Sequence, residues 1–116
     1  TLFFAGCGRL FEGTYEQLYN SIQKLNKLPD DTKIYCGHEY TLSNLEFVRS
    51  QINNDYIEEK YKEISDMRSK NQISLPSILG IERKINPFLL EIVPDDIKSL
   101  SASDCFKELR IRKDNF

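Results

Sequence analysis

The sequence predicts an α/β segment over residues 1–38 followed by a small all-helical segment over residues 39–116. Three observations carry that reading. Thr1–Ala5 and Lys33–Cys36 are short apolar runs, each closed by a glycine, with a helical pattern between them. After His38 the apolar residues recur at helical spacing only. No apolar run approaches the roughly 18 residues of a spanning helix, so a soluble chain without a membrane partner is expected.

The elements follow in order. Thr1–Ala5 reads as a buried strand ending at Gly6-Cys7-Gly8. Thr14 and Gln17 form a capping-box pattern, and Tyr15, Leu18, Ile22 and Leu25 then share one helical face before Pro29. Lys33–Cys36 is a second strand, stopped by Gly37. Thr41 is expected to cap a helix that buries Leu42, Leu45, Val48 and Ile52. Asn53-Asn54-Asp55 interrupts it, and the next helix turns Ile57, Tyr61, Ile64 and Met67 inward. Its charged residues, Glu58 through Glu63 with Arg68, read as a solvated face. Leu75-Pro76-Ser77 opens a short helix over 78–85, Asn86-Pro87-Phe88 is a turn, and a last helix over 104–112 is capped by Ser101 or Ser103.

Composition excludes some function classes. Sixteen basic against eighteen acidic residues give a formal net charge of −2, which does not suit a general nucleic-acid binder. Cys7, Cys36 and Cys105 are an odd number without C-x-x-C spacing, which suits reduced thiols and a cytoplasmic location. The opening at Thr1, without methionine and directly into Leu2-Phe3-Phe4, is expected to reflect truncation.

Chemistry is expected at the two glycine-flanked loops, Gly6–Arg9 and Cys36–Tyr40, because ligands gather at the carboxyl ends of strands. His38 is the sole histidine. It suits a metal ligand or a general base, but a metal site needs three or four protein ligands and the chain has no second imidazole. Pairing Cys7 or Cys36 with His38 as a nucleophile is a weaker option. Arg9, Arg110, Arg112 and Lys113 are cations of the kind that would hold a small anion lying across the two parts, while for Arg112 and Lys107 surface charge is the favoured reading.

The segments 1–14, 28–45, 75–80, 85–88 and 110–116 together closely resemble glyoxalase II, the hydroxyacylglutathione hydrolases, in order along essentially the whole chain. The resemblance implies the C-terminal part of a metallo-β-lactamase-type αββα fold, followed by a helical glutathione-binding domain. It implies hydrolysis of S-D-lactoylglutathione to D-lactate and glutathione at a centre of two divalent metals, zinc or zinc with iron. His38 resembles the terminal histidine ligand of that centre. Arg9 and Tyr40 resemble residues that contact glutathione, Phe11 stands where many members carry a tyrosine, and Arg110 and Lys113 resemble the basic pair that holds the glycine carboxylate. The family's other metal ligands would lie upstream of Thr1. The expectation is therefore the C-terminal half of a thioester hydrolase, not competent alone, whose partner is the missing N-terminal half. The alternative is a non-catalytic glutathione-binding or self-associating fragment from a split gene. Self-association is expected from Leu2, Phe3, Phe4, Ile34 and Tyr35, taken as exposed strand residues.

Overall fold

The computed structural model describes residues Thr1–Phe116 as a helix-rich domain with two minimal sheets. Strands β1 (Leu2–Phe3) and β2 (Gly6–Cys7) pair antiparallel, Leu2 opposite Cys7, around a turn at Phe4-Ala5. Helix α1 (Tyr15–Leu25) follows, then β3 (Lys33–Ile34), α2 (Thr41–Gln51) and α3 (Asp55–Ser69). Strand β4 (Ser77–Ile78) pairs antiparallel with β3 and leads into α4 (Leu79–Ile85). Two 3₁₀ turns, Pro87–Leu89 and Asp95–Ile97, connect to α5 (Ala102–Asp114).

The expected α/β segment is corrected here. Residues 1–38 build no layer of an αββα sandwich: each strand is two residues long and finds one antiparallel partner. The predicted strand over 1–5 folds back on itself, because Ala5 adopts a left-handed φ of 61° and turns the chain into β2. Residues 77–78, expected to enter a helix, instead pair with β3.

The helices end where local chemistry ends them. Thr14 accepts from the Gln17 amide at 3.1 Å while Gln17 Oε1 accepts from the Thr14 amide at 2.9 Å, so the capping box is complete. Asn54 caps α3 through the Tyr56 and Ile57 amides, and Ser101 caps α5 through Asp104. Thr41 does not cap α2. It is buried as the first helical residue, and its hydroxyl lies 2.6 Å from that of Ser74.

Two apolar clusters run across residue 38. Leu2, Cys7 and Ile22 pack with Phe47, Phe88, Phe106 and Leu109, where α1 lies on α5. Phe4 and Ala5 pack with Leu45, Val48, Ile57, Ile64 and Ile85, where α2 lies on α3. Each fully buried Phe or Ile contributes roughly 1.5–3 kcal/mol by leaving water. The expectation that Leu2 and Phe4 stand exposed is thus corrected, since both sit inside these clusters. Phe3 and Ile34 are half-buried, and Tyr35 alone of that set is exposed. No helix is long and apolar enough to cross a membrane.

Candidate functional site

The β1–β2 hairpin is held by side chains from helices far along the chain. Glu82 of α4 is fully buried and accepts from the Ala5 amide at 2.9 Å, from Ser77 Oγ at 2.7 Å and from Asn86 Nδ2 at 2.9 Å. Burial pushes its carboxyl above the usual range, against these donors. Asn86 Nδ2 also donates to the Gly6 carbonyl at 3.0 Å, and Asn44 Nδ2 donates to the Phe4 carbonyl at 3.0 Å. Glycine is required at position 6 by this approach, since a Cβ there would stand 2.8 Å from the Asn44 amide group.

The hairpin delivers Phe3 and the Cys7–Arg9 strand end to a cleft of about 650 Å³. His38 and Tyr40, from the loop before α2, form one wall. Their rings stack at 4.9 Å and 6°, and Phe3 tilts against Tyr40 at 5.2 Å. Ser43 and Asn44 of α2 and Arg110 and Lys113 of α5 complete the lining, with Phe11 at the lip. Phe11 is 87% exposed, so its ring is not yet packed against protein. Arg9, Phe11, His38, Tyr40, Arg110 and Lys113 therefore meet in one cleft, whereas Arg112 lies outside it, paired with Asp96 and Glu108. No carboxylate lines it.

The three cations are in different states. Arg9 is mostly exposed, 3.9 Å from Asp114, and free to turn to a ligand. Arg110 is 2% exposed. Its Nη1 donates to the carbonyls of Cys7 at 2.7 Å and Gly8 at 3.2 Å, and its Nε and Nη2 donate to Asp114. One Nη2 hydrogen is left over. Lys113 lies 5.3 Å above the Phe47 ring, and burial, then the Arg110 charge, bring its pKa down to about 8.

Neither loop cysteine is hydrogen-bonded to the His38 imidazole, and Cys7 Sγ accepts from Arg110 Nη1 at 3.5 Å. Burial pushes the Cys7 thiol up to about 11, which keeps it protonated at neutral pH. Cys36 Sγ faces the His38 carbonyl at 3.4 Å rather than the imidazole.

The residues present do not fit a two-metal centre. No group of three or more His, Cys, Asp or Glu side chains is gathered to hold an ion, and Glu39, beside His38 in sequence, turns to the Ser74 amide and hydroxyl. His38 contributes one imidazole to the cleft wall.

Sequence reasoning missed Phe3, Asn44 and Glu82. The last two carried a signal: a polar or charged residue on an otherwise inward-facing helix stripe needs a buried partner. A second groove of about 370 Å³, between Leu2, Leu25, Leu28, Ile34 and Leu79, is mostly apolar; Phe3 lines it as well, but none of Arg9, His38, Tyr40, Arg110 and Lys113 does.

Fold and cleft together define a helix-rich module with a cationic, aromatic-walled cleft open to a small molecule. A family model described as "Hydroxyacylglutathione hydrolase C-terminus" matches residues 39–116. Proteins named hydroxyacylglutathione hydrolase are similar over more of the chain. The one from Cronobacter sakazakii is 47% identical over 124 residues, covering 100% of this chain and 49% of its own length. That of Citrobacter koseri is 48% identical over 124 residues with the same coverage, and that of Pseudomonas entomophila 53% identical over 90 residues, 77% of this chain and 35% of its own. The chain belongs to the hydroxyacylglutathione hydrolase family, glyoxalase II, and matches its C-terminal half. It spans about half the length of these relatives.

Proposed function

We propose that this chain binds the glutathione moiety of a 2-hydroxyacyl glutathione thioester, S-D-lactoylglutathione being the expected substrate, as the C-terminal part of a thioester hydrolase. The observation that carries the reading is the meeting of Arg9, Tyr40 and Lys113 around a cleft without a carboxylate. Glutathione is a flexible tripeptide with two carboxylates, and free cationic donors over an apolar floor suit it.

Arg9 and Lys113 take the carboxylates, Tyr40 offers its hydroxyl to the peptide backbone, and Phe11 covers the bound ligand from the lip. Arg110 contributes through the shape of the Cys7–Gly8 backbone more than through its own donors. Binding energy gathered on the tripeptide orients the acyl group without itself changing in the transition state. The divalent metals that the resemblance implies would supply an activated water; the donors for such a centre are not assembled by this chain, whose contribution is the His38 imidazole.

Titration with S-methylglutathione, which has no free thiol, tests the reading. Calorimetric binding with amide shifts at Gly8, Arg9, Tyr40 and Lys113 is expected. Absence of both at millimolar ligand overturns it.

A further inference from the structure

Ala5 is a non-glycine residue at a left-handed φ of 61°, a conformation that persists only where the surroundings enforce it. Asn44 holds the Phe4 carbonyl on one side of the turn, and a single carboxylate holds the Ala5 amide itself. The Ala5 amide points at both oxygens of the Glu82 carboxylate, at 3.2 and 2.9 Å. The same carboxylate receives Ser77 Oγ and Asn86 Nδ2, and Asn86 passes on to the Gly6 carbonyl. Glu82, fully shut off from water, thereby joins the turn's Ala5 amide to Ser77 and Asn86. Beyond the turn the chain has little freedom left. Leu2 pairs with Cys7, the Gly8 amide donates to the Thr1 carbonyl at 2.7 Å, and Arg110 holds the Cys7 and Gly8 carbonyls. Arg9 is the next residue.

We propose that Glu82 is a positioning residue for the cleft: by collecting the Ala5 amide, Ser77 and Asn86 it fixes the Phe3–Gly6 turn, and through the hairpin it sets where the Gly8–Arg9 arm stands. Glu82 does not line the cleft and acts on it through the hairpin, directly at the Ala5 amide and by way of Asn86 at the Gly6 carbonyl. Its consequence for ligand affinity rests on the proposed glutathione binding; its hold on the arm does not.

Glu82→Gln is the informative change because shape is kept and one acceptor becomes a donor. Oε2 receives the Ala5 amide and Asn86 while Oε1 receives Ser77 and the longer Ala5 contact, so in either orientation the new amide nitrogen faces the Ala5 N–H and takes away one of its two acceptors. Amide hydrogen exchange in the intact chain reads the arm without any ligand. Protection at Ala5 and Gly8 is expected to fall at least tenfold in Glu82→Gln while Ile57 and Ile64 of α3 keep theirs. Ala5→Gly, which needs no enforcement at this φ, is expected to restore protection at Gly8 in the Glu82→Gln background. Unchanged protection at Ala5 and Gly8, or a fall spread evenly over α3, overturns the proposal.

S-methylglutathione gives the second arm. Glu82→Gln is expected to weaken binding about five- to tenfold, and to weaken it no further once Arg9→Ala is present. Additive losses mean that Glu82 does not act through Arg9, which also overturns it. If the unmodified chain fails to bind the ligand, glutathione recognition falls, and exchange at Ala5 and Gly8 still decides for or against Glu82.

Discussion

The Arg110 guanidinium sits 2.7 Å from the Cys7 carbonyl and 2.8 Å from Asp114, tying the last helix to the hairpin more than a hundred residues away. A cation this deeply buried is tolerable only because its donors are nearly all satisfied. The resemblance assigns Arg110 to the ligand, whereas the geometry gives it a structural load first.

Arg110→Ala should therefore be costly to the fold. It leaves Asp114 and two carbonyls without their donor and opens space beside Phe88, so a loss of about 3 kcal/mol is expected. Arg110→Lys should recover little, since an ammonium cannot span Cys7, Gly8 and Asp114 together. Urea unfolding of both variants checks this; a loss below about 0.5 kcal/mol for the alanine change would refute the bracing role.

Metal retention is a second expectation. One imidazole without neighbouring ligands binds a divalent ion too weakly to survive dialysis, so the purified chain should keep well under one zinc or iron per molecule. His38→Ala should leave that content and the unfolding midpoint almost unchanged, because the exposed ring touches only the Tyr40 and Phe3 rings at the cleft wall. Elemental analysis showing two tightly held ions per chain would contradict the geometry.

What was legible in the sequence divides along the distance over which each feature is enforced. The capping box of Thr14 and Gln17 is a three-residue device and forms as read, and of the two serines offered for the last helix it is Ser101 that caps it. The helical stripes of α2 and α3 also hold, although Phe47 joins the core from a position the spacing did not single out. The hairpin was invisible because Ala5 has no local reason to turn left-handed; the reason is Glu82, 77 residues on. Thr41 looked like a cap until Ser74 took its hydroxyl. At the site, motif resemblance singled out residues that now meet in one cleft, but residue type alone could not separate exposed Arg9 from buried Arg110.

Lys113 gives a stability prediction with a definite sign. Its pKa is about 8 in the fold and near 10.5 in the unfolded chain, so between those values only the unfolded chain holds the proton. More protons on the unfolded side means that this group makes stability rise with pH across that window; below pH 8 both states are charged and its cost is fully present. Lys113→Met should gain about 1 kcal/mol at pH 6.5, allowing for screening of a half-exposed ammonium, and the gain should fade by pH 10. Urea midpoints of variant and parent that run parallel across this range would show that the lysine is not desolvated.

The same depressed pKa makes ligand affinity pH-dependent. Only the protonated amine can hold a carboxylate, so binding of S-methylglutathione should weaken as pH rises through about 8, while Arg9 stays charged throughout. A bound carboxylate favours the ammonium, which shifts the fall-off upward in the complex without abolishing it. Lys113→Ala should be weaker at pH 7 and nearly flat across the range, and the difference between parent and variant removes any titration of the ligand itself. Arg9→Ala should be weaker at every pH and keep a fall-off, moved to higher pH because the Arg9 charge is among the causes that hold the Lys113 pKa down. Each contact is a charged hydrogen bond open to solvent, worth about 1 kcal/mol, so losing both should cost about ten- to thirtyfold in affinity. Much of that effect should vanish in 1 M salt, where the Debye length is only about 3 Å. Calorimetry between pH 6.5 and 9 decides the assignment. A parent whose affinity is level across pH 8, or a Lys113→Ala variant that keeps the parent's slope, would place the carboxylate somewhere other than Lys113.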